Sequence, residues 1–481
     1  MAYKHGVYTS EQATSLVAMT QTDSGLIVAF GTAPVHLASD PAEVNTPVLC
    51  YTYKEAVAAF GYSDDWDKYT LSEVIKTQFA YFNMAPIVLI NVLDPATHKT
   101  AVVGSEKTIT DGVIKVAEPI LISTLKVSLT SDGDPLVIDT DYTAAYEDET
   151  LVITPISGGA IGGSVTSLFL SYDKLNPAAV DADDIIGGVN TTTNKNEGME
   201  LIDEIYPRFG LVPGTIIAPG FSHNTQVSAV MRAKCVNICG HFNAINICDE
   251  PTETVKSYTA ASSWKNTNNF VDKNTLLTWP LLKLGDETFH MGTQLASLMN
   301  RTDSQHDDIP YYSPSNKSFQ ADGAVLADGT EVYLNSAQAA YLNGQGIITA
   351  LNFIGGWKSW GNRTTAYPSN TDVKDNFITN RRMFNWVGNT LVTTFWSKID
   401  DPAKKRLIET IVDSANIWLN GLTAKGALLG GRVEFREDEN TTTDLMDGIL
   451  RFHVYMTPPS PARDIEFVQE YDTDYISTLF A

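Results

Sequence analysis

Continuous apolar runs alternate with amphipathic segments over the first hundred residues. The stretches "GLIVAFGTA" (25–33) and "PIVLINVL" (86–93) are apolar throughout, which is typical of strands buried on both faces. Between them, "TLSEVIKTQFAYF" (70–82) repeats apolar residues at helical spacing, and Thr70 followed by Glu73 predicts a capping box. A strand–helix–strand unit of this kind predicts a parallel sheet covered by helices.

The pattern changes between about residues 99 and 178. Short alternating runs such as "GVIKVAE" and "LVITPI" are separated by the turn signals "SDGD" and "SGGAIGG". We therefore predict a small β-sandwich at this point. The α/β rhythm resumes near residue 180, so the sandwich interrupts an α/β domain.

Two long helical patterns occupy residues 373–399 and 402–426. Asp401 and Pro402 predict the start of the second helix, as its N-cap and first helical residue. Two strand patterns follow, and the Pro-rich stretch "TPPSPA" then separates them from the last residues of the chain. This region therefore predicts two long helices followed by a pair of strands.

Composition narrows the class of protein. The chain has 481 residues, 43% of them hydrophobic, which is enough for several cores. No stretch reaches the roughly 18–20 apolar residues of a membrane span, and the first residues lack the apolar segment of a signal peptide, so we expect a protein used without export. The formal charge of −24 argues against direct contact with nucleic acid or anionic lipid, since Lys and Arg supply that affinity.

The sequence carries no recognisable catalytic, cofactor-binding or metal-binding motif: phosphate loop, nucleophile elbow, zinc-protease helix and paired CxxC are all missing. Cys235, Cys239, His241 and Cys248 offer a metal set, but their spacing and apolar surroundings favour buried thiols. We predict no metal, no cofactor and no catalytic residues. The alternative is an α/β hydrolase with an unadvertised Ser/His/Asp site, because histidines do fall in the α/β region.

Both chain ends alternate like strands that have no local partner. An unpaired strand recruits another chain by strand addition. About five hydrogen bonds at roughly 1 kcal/mol each barely offset the ordering of five residues, so one arm alone is near break-even, which fits a polymer with many simultaneous contacts. The alternative is that each arm folds back on its own domain. The predicted arm-strand residues are Tyr3, His5, Val7, Tyr8, Ile465, Phe467, Val468 and Tyr471.

Several segments, in this order, resemble the contractile phage tail sheath protein family, found in phage tails and phage tail-like particles. They include "GVYTSE", "GLIVAFGTA", "IIGGVNTTTNKNEGMELIDEIYPRFGLVPGTIIAPGF", "SPSNKS", "RRMFNW" and "TPPSPARDIEFVQEYD". The resemblance implies an α/β multidomain fold: a subtilisin-like core, an inserted β-sandwich, a C-terminal α/β domain and extended arms. The implied boundaries are an N-terminal arm at 1–22, a core at 23–98 and 179–365, a sandwich at 99–178, a C-terminal sheath domain at 366–463 and a C-terminal arm at 464–481.

The same resemblance implies a structural, non-enzymatic subunit. Such subunits form hexameric rings, stack helically around an inner tail tube, and contract to drive the tube through a target cell envelope, with the arms adding strands to neighbouring subunits. Implied partners are further copies of itself, the tube protein, and baseplate and tail-terminator proteins. The implied location is a virion tail or tail-like particle assembled in the bacterial cytoplasm.

Two residue-level expectations follow from the resemblance. "GTQLAS" (292–297) faintly echoes a subtilase serine motif, but Gln294 stands at the nucleophile position and cannot attack a carbonyl. The basic cluster Lys404, Lys405 and Arg406, in an otherwise acidic chain, is a candidate contact for an acidic tube; the alternative is an ordinary solvated helix face.

Overall fold

The computed structural model describes residues 16–480, which form a mixed α/β, multidomain structure. The helices are α1 Tyr53–Phe60, α2 Thr70–Ile75, α3 Ala182–Ile186, α4 Ile202–Phe209, α5 Thr225–Lys234, α6 Tyr258–Thr267, α7 Met291–Ser304, α8 Ser336–Gly344, α9 Val373–Asn376, α10 Ile378–Phe395, α11 Lys405–Ala424 and α12 Thr442–Met446. The strands are β1 Ile27–Gly31, β2 Val48–Cys50, β3 Ile87–Asn91, β4 Lys99–Thr108, β5 Ile114–Val116, β6 Lys126–Ser128, β7 Tyr142–Glu147, β8 Thr150–Pro155, β9 Ser167–Leu175, β10 Gly188–Val189, β11 Asn196–Glu197, β12 Thr215–Ile217, β13 Ile245–Asp249, β14 Thr275–Thr278, β15 Leu281–Leu284, β16 Glu287–Phe289, β17 Gly323–Val325, β18 Thr349–Asn352, β19 Trp357–Trp360, β20 Gly430–Glu434 and β21 His453–Thr457.

A six-stranded sheet in the order β14-β13-β12-β1-β3-β2 forms the largest core. All pairings are parallel except that of the edge strand β2, which runs antiparallel to β3. Every residue of β1, β3, β12, β13 and β14 is buried, as their continuous apolar composition predicts. Helix α7, almost wholly buried, packs against this sheet.

The predicted capping box at Thr70 and Glu73 is wrong. The residue before helix α2 is Tyr69, which makes no side-chain cap, and the Thr70 hydroxyl instead accepts a hydrogen bond from the Thr32 backbone N–H. Glu73 is fully buried and accepts hydrogen bonds from the ring and backbone N–H of His290. A long-range partner thus takes the carboxylate, because a buried charge requires one.

The predicted start of helix α11 is also wrong. The helix begins at Lys405 with Lys404 as its N-cap, not at Pro402 after Asp401. The backbone N–H of Asp401 bonds to the Lys398 carbonyl, so Asp401 belongs to the turn that precedes the helix.

Two three-stranded antiparallel sheets lie within residues 99–178, in the orders β4-β9-β6 and β5-β8-β7. Side chains from both, including Val127, Leu170, Leu151 and Ile153, form one hydrophobic cluster separate from the large core. The all-β prediction for this stretch therefore matches the structure. The exact domain boundaries stay a prediction.

A third hydrophobic cluster joins helices α10 and α11 to the β20–β21 pair. The Trp386 ring of this cluster packs against that of the partly buried Trp418, with ring centroids 5.5 Å apart. No helix within residues 16–480 is both long and apolar enough to span a bilayer.

Candidate subunit interface

The β20–β21 pair is a small sheet whose two outer edges carry no further strand among residues 16–480. The pair is antiparallel, with Gly430 opposite Thr457 and Glu434 opposite His453. Helix α11 packs on β20. A two-stranded sheet is marginal by itself, and an open edge is a template for another strand.

A side chain occupies one position on the outer edge of β20. Asn416 on α11 accepts a hydrogen bond from the Val433 N–H (2.7 Å) and donates one to the Val433 carbonyl (3.0 Å). The backbone groups of Val433 therefore point away from β21. In an antiparallel ladder the opposite residue, Val454, then turns its own N–H and C=O toward the outer edge of β21.

The C-terminal arm leaves this sheet through a Pro-rich root. Pro458 is buried, and the amide of Asn380 on α10 donates a hydrogen bond to the Ser460 hydroxyl (3.3 Å). Residues 461–472 then form neither helix nor strand.

Large apolar side chains of the C-terminal arm face solvent. Phe467 is 86% exposed and Val468 84%, while Ile465 and Tyr471 are similarly open. Such a run of exposed apolar side chains is characteristic of an interaction surface. The structure thus leaves the four predicted arm residues uncovered in the isolated chain, and their pairing with a neighbour stays a prediction. Tyr3, His5, Val7 and Tyr8 lie outside the described residues.

Residues 17–22, the last part of the predicted N-terminal arm, are bound to helices α10 and α11 of their own chain. Hydroxyl groups and one indole on these helices bond the backbone of residues 17–22, an arrangement that the sequence reasoning missed. The only signal for it is the spacing of Trp386, Thr390 and Thr394, which places all three on one helical face. The bonds are Val17 N–H to Ser414 Oγ, Thr20 N–H to Thr394 Oγ1, Thr393 Oγ1 to the Thr20 carbonyl, Thr22 N–H to Thr390 Oγ1 and Trp386 Nε1 to the Thr22 carbonyl.

A buried ion pair connects helix α10 to the large core. The Arg382 guanidinium donates a bidentate pair of hydrogen bonds to the Asp303 carboxylate on α7, and both side chains are less than 5% exposed. Ser24 joins them, donating from its hydroxyl to Asp303 (2.9 Å) and accepting from Arg382 at its carbonyl. Helix α10 therefore contacts the root of each arm and the core together.

The basic cluster Lys404, Lys405 and Arg406 lies at the exposed start of helix α11. Lys405 forms a solvent-exposed contact with Glu409 (3.4 Å), of a kind that contributes little stability. Positive side chains at a helix N-terminus add to the positive end of the helix dipole. This patch is therefore locally attractive to an acidic surface.

Among the described residues, the carboxyl edge of the large sheet carries no Ser–His–Asp hydrogen-bond relay, which the hydrolase alternative requires. The Gln294 amide is engaged on both sides by the backbone of Gln320, so this side chain is a structural brace. The Asp249 carboxylate accepts from the Gly292 N–H and the Thr278 hydroxyl. Within residues 16–480, no serine hydroxyl hydrogen-bonds a histidine, which is the contact that activates a serine nucleophile.

His290 and Glu73 form a charged pair at the start of helix α7. Burial lowers the pKa of His290, but the adjacent Glu73 carboxylate, 2.7 Å away, outweighs this and raises the pKa to about 9. The pair is an internal tie between α2 and α7.

We expect this tie to weaken in alkaline solution. A histidine whose pKa is higher in the folded protein than its unfolded value of 6.5 stabilises fully below pH 6.5, and the contribution is lost as the pH rises through about 9. The melting temperature of the native chain should therefore fall toward that of His290→Gln between pH 6.5 and 9. Thermal unfolding of both proteins across this range measures the effect, and a difference that is independent of pH would contradict it.

Two of the candidate metal ligands, Cys235 and Cys248, are buried thiols in the core. The Asn246 amide contacts the Cys235 sulfur. Burial raises the pKa of Cys235 to about 12, which disfavours the thiolate that a metal requires. Among the described residues, no group of three His, Cys, Asp or Glu side chains could hold a metal ion.

The similarity to a known protein extends over nearly the whole chain. No known family model matches the sequence. The tail sheath protein of Burkholderia phage BcepMu is 29% identical over 496 aligned positions, covering 99% of this chain and 98% of that protein. A putative prophage major tail sheath protein of Pseudomonas aeruginosa is 23% identical and covers 61% of this chain and 74% of its own length.

Solved structures share the fold at low sequence identity. The sheath of an extracellular contractile injection system (PVC) in its contracted state matches with a TM-score of 0.59 at 12% identity, covering 99% of both chains. The contracted helical sheath of the anti-feeding prophage matches with a TM-score of 0.59 at 13% identity, covering 98% of this chain and 100% of that one.

Proposed function

We propose that this chain is a contractile tail sheath protein, which polymerises around an inner tail tube and contracts to drive that tube through a target cell envelope. It is a structural protein and not an enzyme. The particle is a phage tail or a phage tail-like particle.

One observation supports the proposed assembly mechanism: a two-stranded sheet without further strands and an arm with exposed apolar side chains occur in the same chain. The β20–β21 sheet offers open edges, and the C-terminal arm exposes Ile465, Phe467, Val468 and Tyr471 beyond it. We propose that the arm of one copy adds to the sheet of a neighbour, and that Tyr3, His5, Val7 and Tyr8 do the same from the other end. Copies remain linked by these arms while their bodies re-dock during contraction.

The chain divides, in this proposal, at the boundaries that the sequence predicts. A subtilisin-like core at 23–98 and 179–365 bears the sandwich at 99–178 and the sheath domain at 366–463. Three separate hydrophobic clusters support this division. A few side chains cross it: Ile309 packs with the C-terminal cluster and Ile378 with the core cluster.

The further partners are also proposals. Hexameric rings stacked in a helix, an inner tube, a baseplate and a terminator complete the particle, and assembly takes place in the bacterial cytoplasm. Two findings support these proposals. The chain is similar over its full length to a tail sheath protein, and its fold matches that of sheaths solved in the contracted state.

The tube-facing surface, in this proposal, includes Lys404, Lys405 and Arg406. Reversing all three charges to Glu should reduce binding to purified tubes several-fold, because the cluster is exposed and its attraction adds to the helix dipole. Co-sedimentation with tubes at low and high salt measures this.

A matched control reverses three exposed lysines elsewhere, Lys54, Lys115 and Lys126, and changes the net charge equally. Equal losses from both triple variants would contradict a local tube contact.

The proposed function is tested by electron microscopy of the purified full chain, alone and with tubes. Hollow tubes or ring stacks are expected. Uniform small particles under both conditions would overturn the proposal.

A further inference from the structure

A groove of about 880 Å³ opens beside one end of the β20–β21 sheet. Its walls are the loop 311–317, helix α8, the residues that follow β19, and the arm root 459–464. Gly426, four residues before β20 begins, also lines it. The groove therefore continues the sheet at the end where β20 starts and β21 stops.

The groove is cationic in a strongly acidic protein. Lys317, Arg363 and Arg463 line it, and Asp464 is the one carboxylate among the lining residues that the structure describes. None of the three cations forms an ion pair within residues 16–480. Arg363 instead lies over the rings of Tyr367 and Phe377, at 4.4 and 3.7 Å from their centroids.

Aromatic rings form much of the remaining wall. Tyr311, Tyr312 and Trp360 face the groove, and the Lys317 ammonium lies 5.7 Å from the Tyr312 ring centroid. Cations set among aromatic rings suit a peptide that carries both carboxylates and aromatic side chains.

The opposite end of the sheet has the opposite charge. Between Arg436 and His453, where β20 ends and β21 begins, five carboxylates outnumber two arginines. An acidic segment is repelled there and attracted at the groove. The sheet thus has an anionic end and a cationic end. The carboxylates are those of Glu437, Asp438, Glu439, Asp444 and Asp447.

The C-terminal tail has the composition that the groove requires. After Arg463 the sequence contains five carboxylates and neither Lys nor Arg, and two of the carboxylates, Asp472 and Asp474, lie within residues 472–480. Tyr471, Tyr475 and Leu479 are each more than 70% exposed. In the isolated chain Thr473–Phe480 form a short 3-10 helix. Fully extended, the nine residues 472–480 span at most about 30 Å, which sets the reach of the tail beyond an added strand.

We propose that the groove of one copy receives the acidic tail, residues 472–480, of a neighbouring copy, and that the charge polarity of the sheet sets the direction of the arm strand. The inference rests on the proposed function. The incoming arm then runs in the same direction as β21 and antiparallel to β20, toward the cationic end. Strand addition alone leaves this direction open, since an unpaired strand edge can pair in parallel or antiparallel orientation.

Disulfide trapping in assembled sheaths tests the inference. Chains with Tyr475→Cys are mixed with chains carrying Ser336→Cys, at the exposed groove wall, or Met446→Cys, at the anionic end. The mixtures are assembled, checked by electron microscopy and oxidised, with the native chain as the background for its own four cysteines. Heterodimers are expected from the Ser336→Cys mixture, and none above background from the Met446→Cys mixture.

Each other result is decisive. Cross-linking to Met446→Cys reverses the direction and overturns the inference. Well-formed tubes without groove cross-links overturn it while the proposed function stands. A Tyr475→Cys/Ser336→Cys double variant that closes an internal disulfide as an unassembled monomer shows that each tail fills its own groove. Failure of the native chain to form tubes or ring stacks removes the proposed function and this inference together.

A charge swap supplies an independent measurement. Lys317→Glu should lower the yield of groove cross-links several-fold, and Asp472→Lys in the partner chain should restore it. Loss without restoration would mean that Lys317 supports the groove wall and does not contact the tail, which contradicts the charge recognition proposed.

Discussion

Removal of residues 464–481 should abolish sheath formation while leaving the body of the subunit folded. The side chains of arm residues 465–471 are exposed, so their removal should cost the body of the subunit little folding stability. Each added strand provides about five hydrogen bonds at roughly 1 kcal/mol net, nearly offset by ordering, so the polymer depends on many such contacts formed together. We expect the amount of sedimentable polymer to fall at least about a hundred-fold. Each subunit is held by several weak contacts that reinforce one another, so removing one contact from every subunit weakens the whole polymer. Sedimentation and electron microscopy measure the polymer, and thermal unfolding should shift by no more than about 2 °C.

A pair of point variants sharpens this test. Val468→Pro removes a backbone donor and blocks a strand ladder, whereas Val468→Ala removes only side-chain area at the same exposed position. Val468→Pro should therefore resemble the trimmed chain, and Val468→Ala should still assemble. Normal tubes from the trimmed chain would refute assembly through the C-terminal arm.

Arg382→Met should be among the most destabilising substitutions in the protein, at about 3–5 kcal/mol, because it leaves the buried Asp303 carboxylate without its partner. The double variant Arg382→Met/Asp303→Leu should recover much of this loss, since a buried ion pair is often replaceable by apolar residues. Chemical unfolding of the three proteins measures these differences.

The control for this prediction is Lys398→Met, which removes an exposed contact with Asp401 near the end of the same helix. It should cost less than about 1 kcal/mol. Equal effects from Arg382→Met and Lys398→Met would contradict the view that the Arg382–Asp303 pair fastens helix α10 to the core.

The sequence predicts those elements whose residues depend mainly on near neighbours. Strands β1, β3 and β12 are buried on both faces, so their apolar runs are unbroken, and the strand–helix–strand rhythm follows. The alternating runs of residues 99–178 likewise yield two antiparallel sheets. In both cases the local pattern and the final burial agree.

The sequence fails where a distant partner decides the outcome. Glu73 fits a capping box locally, but its carboxylate is claimed by His290, more than two hundred positions away. The bonds from α10 to residues 17–22 span more than three hundred and sixty positions, so no window of sequence contains both sides. The cationic groove is similar, because Lys317, Arg363 and Arg463 meet only in the folded chain.

The central claim is that copies are joined by strands exchanged through the β20–β21 sheet. Cryo-electron microscopy of assembled tubes, at a resolution that traces the backbone, tests it most directly. We expect β20 and β21 to be flanked by strands contributed by other copies, including residues 465–471 of one neighbour. A sheet that stays two-stranded in the polymer, with each arm folded on its own body, would contradict it.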